Sequence, residues 1–131
     1  MTRDRRKILA WLGTCLVIAL CLWPKTWLPA PEASPRNAPH ADKVIHFAMF
    51  AVFGLLWMRV GPVSRVRVAL VLAAAVALAV GTELLQGLPL IARDPDRFDA
   101  LADILGGAMG IALVRAAGNT LGVDSEELGE P

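Results

Sequence analysis

Val68–Gln86 reads VALVLAAAVALAVGTELLQ, and the reading of this stretch decides the fold. Every residue from Val68 to Val80 is aliphatic or alanine, and the apolar run continues to Leu88 before Pro89 ends it. As a helix it is about 31 Å long, enough to cross the hydrocarbon core of a bilayer. Near its end the run acquires Glu83 and Gln86. A carboxylate there is expensive, and such residues inside membrane segments usually mark function.

Working outward, the whole chain favours lipid over water. Its 131 residues are 56% hydrophobic, with a mean hydropathy of +0.54, more apolar than soluble domains usually are. A formal net charge of +1, with basic residues in short groups, gives no footprint for nucleic acid. Cys15 and Cys21 lie six positions apart in one apolar segment, so a helix separates them and they read as small apolar residues.

Upstream, Arg3, Arg5, Arg6 and Lys7 precede the apolar run Ile8 to Trp23. That order resembles a secretory signal, but the exit Pro24-Lys25-Thr26-Trp27-Leu28-Pro29 has no small-x-small cleavage site, and Leu20 before Cys21 does not suit a lipoprotein signal. The expectation is an uncleaved first membrane helix over about 8–28. Pro29, Pro31, Pro35 and Pro39 then make an extended connector. A second helix is expected over 44–60, capped by Asp42 or a neighbour and stopped by Gly61-Pro62. The third is the run over 68–88. A fourth, over 100–115, starts near Asp99 and is weakened as an independent span by Asp103, Gly106, Gly107 and Gly110. Residues 118–131 are expected to form a flexible acidic tail on the cytoplasmic side.

The predicted fold is thus all-α, an integral membrane four-helix bundle over residues 1–117. Arg3, Arg5, Arg6, Lys7, Arg59, Arg65, Arg67 and Arg115 fall at one end, against Lys25, Arg36, Lys43, Arg93 and Arg97 at the other. This bias predicts an N-in and C-in orientation. Trp11 and Trp57 would then lie toward the cytoplasmic interface, and Trp23 and Trp27 toward the outer one.

That topology gathers the intramembrane polar residues at the outer leaflet. Asp42, Lys43 and His46 share a face of the second helix, Glu83 and Gln86 a face of the third, and Asp99 and Asp103 a face of the fourth. Below Asp103 the glycine stripe lets another helix approach closely. The expectation is an outward-facing polar pocket of Asp42, His46, Glu83, Gln86, Arg97, Asp99 and Asp103, with His46, Glu83 and Asp103 the candidates for catalysis and Asp42, Lys43, Gln86, Arg97 and Asp99 for binding. Simpler roles fit the same residues. Asp42 and Asp99 stand where helix caps are expected, a Glu83–Arg97 bridge would satisfy both partners, and Lys43, Arg93 and Arg97 suit headgroup anchors. Asp94-Pro95-Asp96 reads as a solvated turn, and no metal or cofactor is expected.

The ordered set Asp42-Lys43-x-x-His46-Phe47, Glu83-Leu84-Leu85-Gln86 and Arg97-Phe98-Asp99-x-x-x-Asp103, followed by Gly110, resembles the VanZ-like family of small bacterial membrane proteins. The resemblance runs from about Asp42 to Val114. It implies a four-helix protein of the bacterial inner membrane, related to one that lowers susceptibility to the glycopeptide teicoplanin, and it draws attention to Asp42, Lys43, His46, Glu83, Gln86, Arg97, Asp99 and Asp103. The family commonly has an asparagine one turn after the last aspartate, where this chain has Gly107.

The functional expectation is a membrane protein that binds or acts on an amphiphile at the outer leaflet: a lipid-linked envelope precursor, a phospholipid headgroup or a lipid-tailed glycopeptide. A small transport subunit and a non-catalytic scaffold are the alternatives. The sequence has no Gly-x-Ser-x-Gly, phosphate-binding glycine loop or zinc-type histidine pair.

Overall fold

A computed structural model of the chain describes residues 2–24, 41–91 and 95–126, with side chains to residue 118. It contains four helices and, among the described residues, no strand: α1 (Arg3–Cys21), α2 (Ala41–Met58), α3 (Arg65–Gln86) and α4 (Arg97–Glu126). The expected connector and Lys25, Trp27, Arg36, Arg93 and Asp94 lie outside the described residues.

α1 begins five residues, and α3 and α4 three residues, before their apolar runs because polar residues cap them. Thr2 Oγ1 accepts the Arg5 N–H at the start of α1, and Ser64 Oγ accepts the Arg67 N–H at the start of α3, each meeting one of the unpaired donors of a first turn. Asp96 opens α4 in the same way: its Oδ1 accepts the Phe98 N–H at 2.8 Å. Asp96, not Asp99, therefore caps this helix. Asp42 likewise sits within the first turn of α2 rather than ahead of it.

Two expected boundaries need correction. The first helix does not reach residue 28: it ends at Cys21, where the Leu22 N–H closes onto the Ile18 carbonyl. Its apolar part, Ile8–Cys21, is about 21 Å long, short of a core of about 30 Å. The fourth helix does not stop at 115 but continues to Glu126, so the start of the expected flexible tail is helical.

The other three helices, α2, α3 and the Arg97–Gly118 part of α4, are long and apolar enough to cross a membrane. Their outward faces carry large apolar side chains, among them Val44, Val66, Leu70, Leu105 and Leu113, with Leu84 72% exposed. The buried set meanwhile includes Thr14, His46, Thr82, Glu83, Gln86, Asp99 and Asp103. Apolar outside with polar groups enclosed is the distribution that suits a lipid solvent.

Successive helices alternate in direction. Along α2 and α4, Lys43 meets Asp99, His46 meets Asp103, Phe47 faces Gly106 and Ala51 faces Gly110, so these two helices run parallel. The register of α1 against α2 is antiparallel: Arg6 reaches the Arg59 carbonyl, and Trp57 Nε1 donates to Thr14 Oγ1. The α2–α4 pair is the most extensive in the bundle, because glycine permits backbone contact. A methyl group on Gly106 would strike the Phe47 carbonyl oxygen, and one on Gly110 would strike that of Ala51. The apolar core fills the middle with Phe50, Phe53, Met58, Val71, Ala75, Ala79 and Ile111.

Candidate functional site

The parallel α2–α4 pair and the returning α3 bring the starts of α2 and α4 against the end of α3, where the polar residues meet. At the centre, His46 Nδ1 lies 3.0 Å from Asp103 Oδ1, and Asp103 is 0% exposed. With Asp103 ionised, Nδ1 carries the shared hydrogen, and in the neutral ring Nε2 is then the basic nitrogen.

Glu83 comes to the same place from α3. Its Oε2 accepts the backbone N–H of Asp96 at 2.8 Å, and it lies within electrostatic range of Asp99, His46 and Asp103. The simpler alternative of a Glu83–Arg97 bridge is not what forms: this backbone bond takes its place. Among the described residues, two buried atoms, Glu83 Oε1 and Asp103 Oδ2, have no hydrogen-bond partner, although such an acceptor typically costs about 1–3 kcal/mol when left unmet. A hydrogen-bond donor brought to this site would answer that cost.

Above this buried layer lies an ion cluster. Lys43 Nζ donates to Asp96 Oδ2 at 2.8 Å and to Asp99 Oδ1 at 3.1 Å, with Asp42 at 3.6 Å. Its charge is shared among three carboxylates, so Lys43 is already engaged within the protein rather than held out as a headgroup anchor. The Lys43 ammonium and the Phe98 N–H in turn hold the Asp96 carboxyl below its ordinary range.

The expected site set divides. His46, Glu83, Asp99 and Asp103 come together with Lys43, while Asp42 stands at the rim with its side chain 58% exposed. Gln86 is buried but turned toward α1, where its Nε2 donates to the Cys21 carbonyl at 2.9 Å. Arg97 is not among the gathered groups: it is exposed, with its guanidinium carbon 5.6 Å from the centre of the Phe98 ring. Gly107 abuts Gly54 and Ala75, so the helices close at this position with no room for a side chain.

Asp96 is the residue that sequence reasoning missed. It caps α4, binds Lys43 and presents its N–H to Glu83. The spacing Asp96-x-x-Asp99 at a helix start resembles a capping-box pattern and was the available signal. A cavity of about 320 Å³ beside Lys43 is walled by Phe98, Leu101, Ala102 and Leu105; His46, Glu83 and Asp103 do not line it. Among the described residues, no group of three or more histidine, cysteine or acidic side chains is placed to hold a metal ion. Among the described residues the two cysteines form no disulfide; Cys15 is exposed and Cys21 buried. Comparison with protein-family models, curated proteins and solved structures returns no match for this chain.

Proposed function

We propose that this chain is a multi-pass protein of the bacterial inner membrane, of the VanZ-like type, with both ends of its bundle on the cytoplasmic side. Its polar cluster, at the outer leaflet, binds or acts on the headgroup of an amphiphilic envelope component: a lipid-linked precursor, a phospholipid or a lipoglycopeptide. The observation that carries this reading is the buried His46–Asp103 pair beside Glu83, with two unmet carboxylate oxygens in a bundle whose outer faces are apolar.

Chemistry narrows the headgroup. Among the described residues carboxylates outnumber cations in the cluster and Lys43 is already engaged, so the ligand supplies donors, as an amine or a hydroxyl-rich sugar does. His46 and a carboxylate also provide an acid and a base for a reaction at such a group. The apolar core beyond the cluster, including Phe50, Phe53 and Val71, offers no relay to the opposite end, which favours headgroup recognition over ion transport.

The test is expression in a susceptible bacterium with teicoplanin susceptibility and envelope integrity as readouts, beside native mass spectrometry of co-purifying lipids. Glu83→Gln and Asp103→Asn are expected to abolish the phenotype and the retained ligand at unchanged protein level. Loss of folded protein in both variants would instead make the cluster interhelical glue.

A further inference from the structure

The opposite, basic end of the bundle holds a second feature that the polar cluster does not use. Because α1 packs mainly on α2 and only slightly on α3, a groove of about 520 Å³ opens between α1 and α3, within the roughly 300–1,000 Å³ typical of ligand sites. Phe53 and Trp57 of α2 lie along it, Trp11 and Thr14 line the α1 side, and Ser64 and Arg67 mark one end. We propose that this groove binds an anionic phospholipid, with an acyl chain between α1 and α3 and the phosphate on Arg67. The proposal rests on the reading of α2, α3 and α4 as membrane spans.

Length is the first argument. From Arg67 to Leu78, the groove follows about 16 Å of α3, close to half of a hydrocarbon core about 30 Å thick. One leaflet's acyl chain fits that depth. The polar groups along it are already satisfied: Trp57 Nε1 donates to Thr14 Oγ1 at 3.0 Å, and Thr14 Oγ1 donates to the Ala10 carbonyl at 2.8 Å. Trp11 stands edge-on to Trp57 with ring centres 5.2 Å apart, leaving aromatic surface for hydrocarbon.

Charge is the second argument. Arg67 Nε donates to the Pro62 carbonyl at 3.0 Å, which fixes the guanidinium at the α2–α3 turn. Arg65 and Arg59 lie near it in sequence, and Arg6 reaches the Arg59 carbonyl. The carboxylate of the first turn of α1, Asp4, lies 3.6 Å from Lys7. The positive N-terminal end of the α3 dipole adds to this field. A net anionic headgroup gains from it and a zwitterionic one gains far less.

Purified protein in nanodiscs of phosphatidylcholine and phosphatidylglycerol, followed by native mass spectrometry of retained lipid, tests the site. Wild type is expected to retain phosphatidylglycerol about fivefold over phosphatidylcholine. Arg67→Gln should bring the ratio near parity, whereas Arg65→Gln, an equal charge loss on a side chain that does not line the groove, should keep most of it. Ala74→Trp, which fills the groove from α3, should lose retained lipid of either kind and decides the matter if Arg67→Gln fails to fold. Parity in wild type, equal loss in the two arginine variants, or full retention in Ala74→Trp overturns the proposal. Failure of wild type to enter the bilayer would instead refute the membrane reading.

Discussion

His46 and Asp103 meet at 3.0 Å with neither side chain open to solvent, so the two act as one buried unit joining α2 to α4. Removing one member strands the other. Asp103→Ala is expected to destabilise the protein by about 1–3 kcal/mol, and His46→Leu with Asp103→Leu should recover part of that loss because no polar group is then left behind. Asp103→Asn keeps a hydrogen-bonding side chain and should melt closest to wild type. Thermal unfolding in detergent, followed by circular dichroism, ranks the three variants.

The ion pair above that unit gives the protein an acid-sensitive joint. Lys43 holds the Asp96 carboxyl below its ordinary range, so the folded state favours the ionised form more than the unfolded state does. The resulting stability is fully present above the unfolded value, about pH 4, and is lost as pH falls through the lower folded value. Asp96→Asn keeps a good helix cap but removes the charge, and should flatten the acid side of the stability profile. An unchanged slope between wild type and variant below pH 4 would show that Asp96 is not the titrating joint.

The closeness of α2 and α4 predicts a sharp contrast among glycines. Gly106→Ala and Gly110→Ala drive a methyl group into the Phe47 and Ala51 carbonyls, and the helices must separate at a cost of about 1–3 kcal/mol. Gly81→Ala meets nothing within 4 Å and should be neutral or slightly stabilising, since alanine is the better helix former. Gel-filtration profiles and melting temperatures of the three variants give the comparison. Separation of α2 from α4 would also pull His46 from Asp103, so Gly106→Ala should impair ligand retention as well.

Much of this arrangement was legible in the chain because lipid makes polarity conspicuous. Glu83 and Asp103 stood out in apolar runs, and the three- and four-residue spacings around His46 placed the right groups on facing surfaces. The run lengths announced four membrane helices, of which three are long and apolar enough to cross a membrane. What stayed hidden depended on backbone partners. Nothing in the type or spacing of Asp96 announced that its N–H would hold Glu83, and Arg97, one of several possible counter-charges, is exposed at the helix start. Helix ends were displaced for a related reason: hydropathy marks where lipid contact begins, whereas capping by Thr2, Ser64 and Asp96 sets where the backbone starts to coil.

Gln86 shows the same dependence and yields the last expectation. A buried amide near the end of α3 suggests a ligand contact, yet its Nε2 donates to the Cys21 carbonyl, in the final turn of a helix whose last carbonyls have no partner within the helix. Its first role is therefore to fasten the end of α1 to α3, where the two helices otherwise touch little. Gln86→Leu preserves bulk but removes the donor, and should raise amide exchange around Ile18–Leu22 while leaving His46 and Asp103 in place. Gln86→Glu sets an acceptor against the carbonyl and should loosen this turn further, by about 1–3 kcal/mol relative to wild type. Hydrogen–deuterium exchange on the detergent-solubilised protein separates this from a ligand role: a contact to ligand alone would leave the α1 exchange rates unchanged.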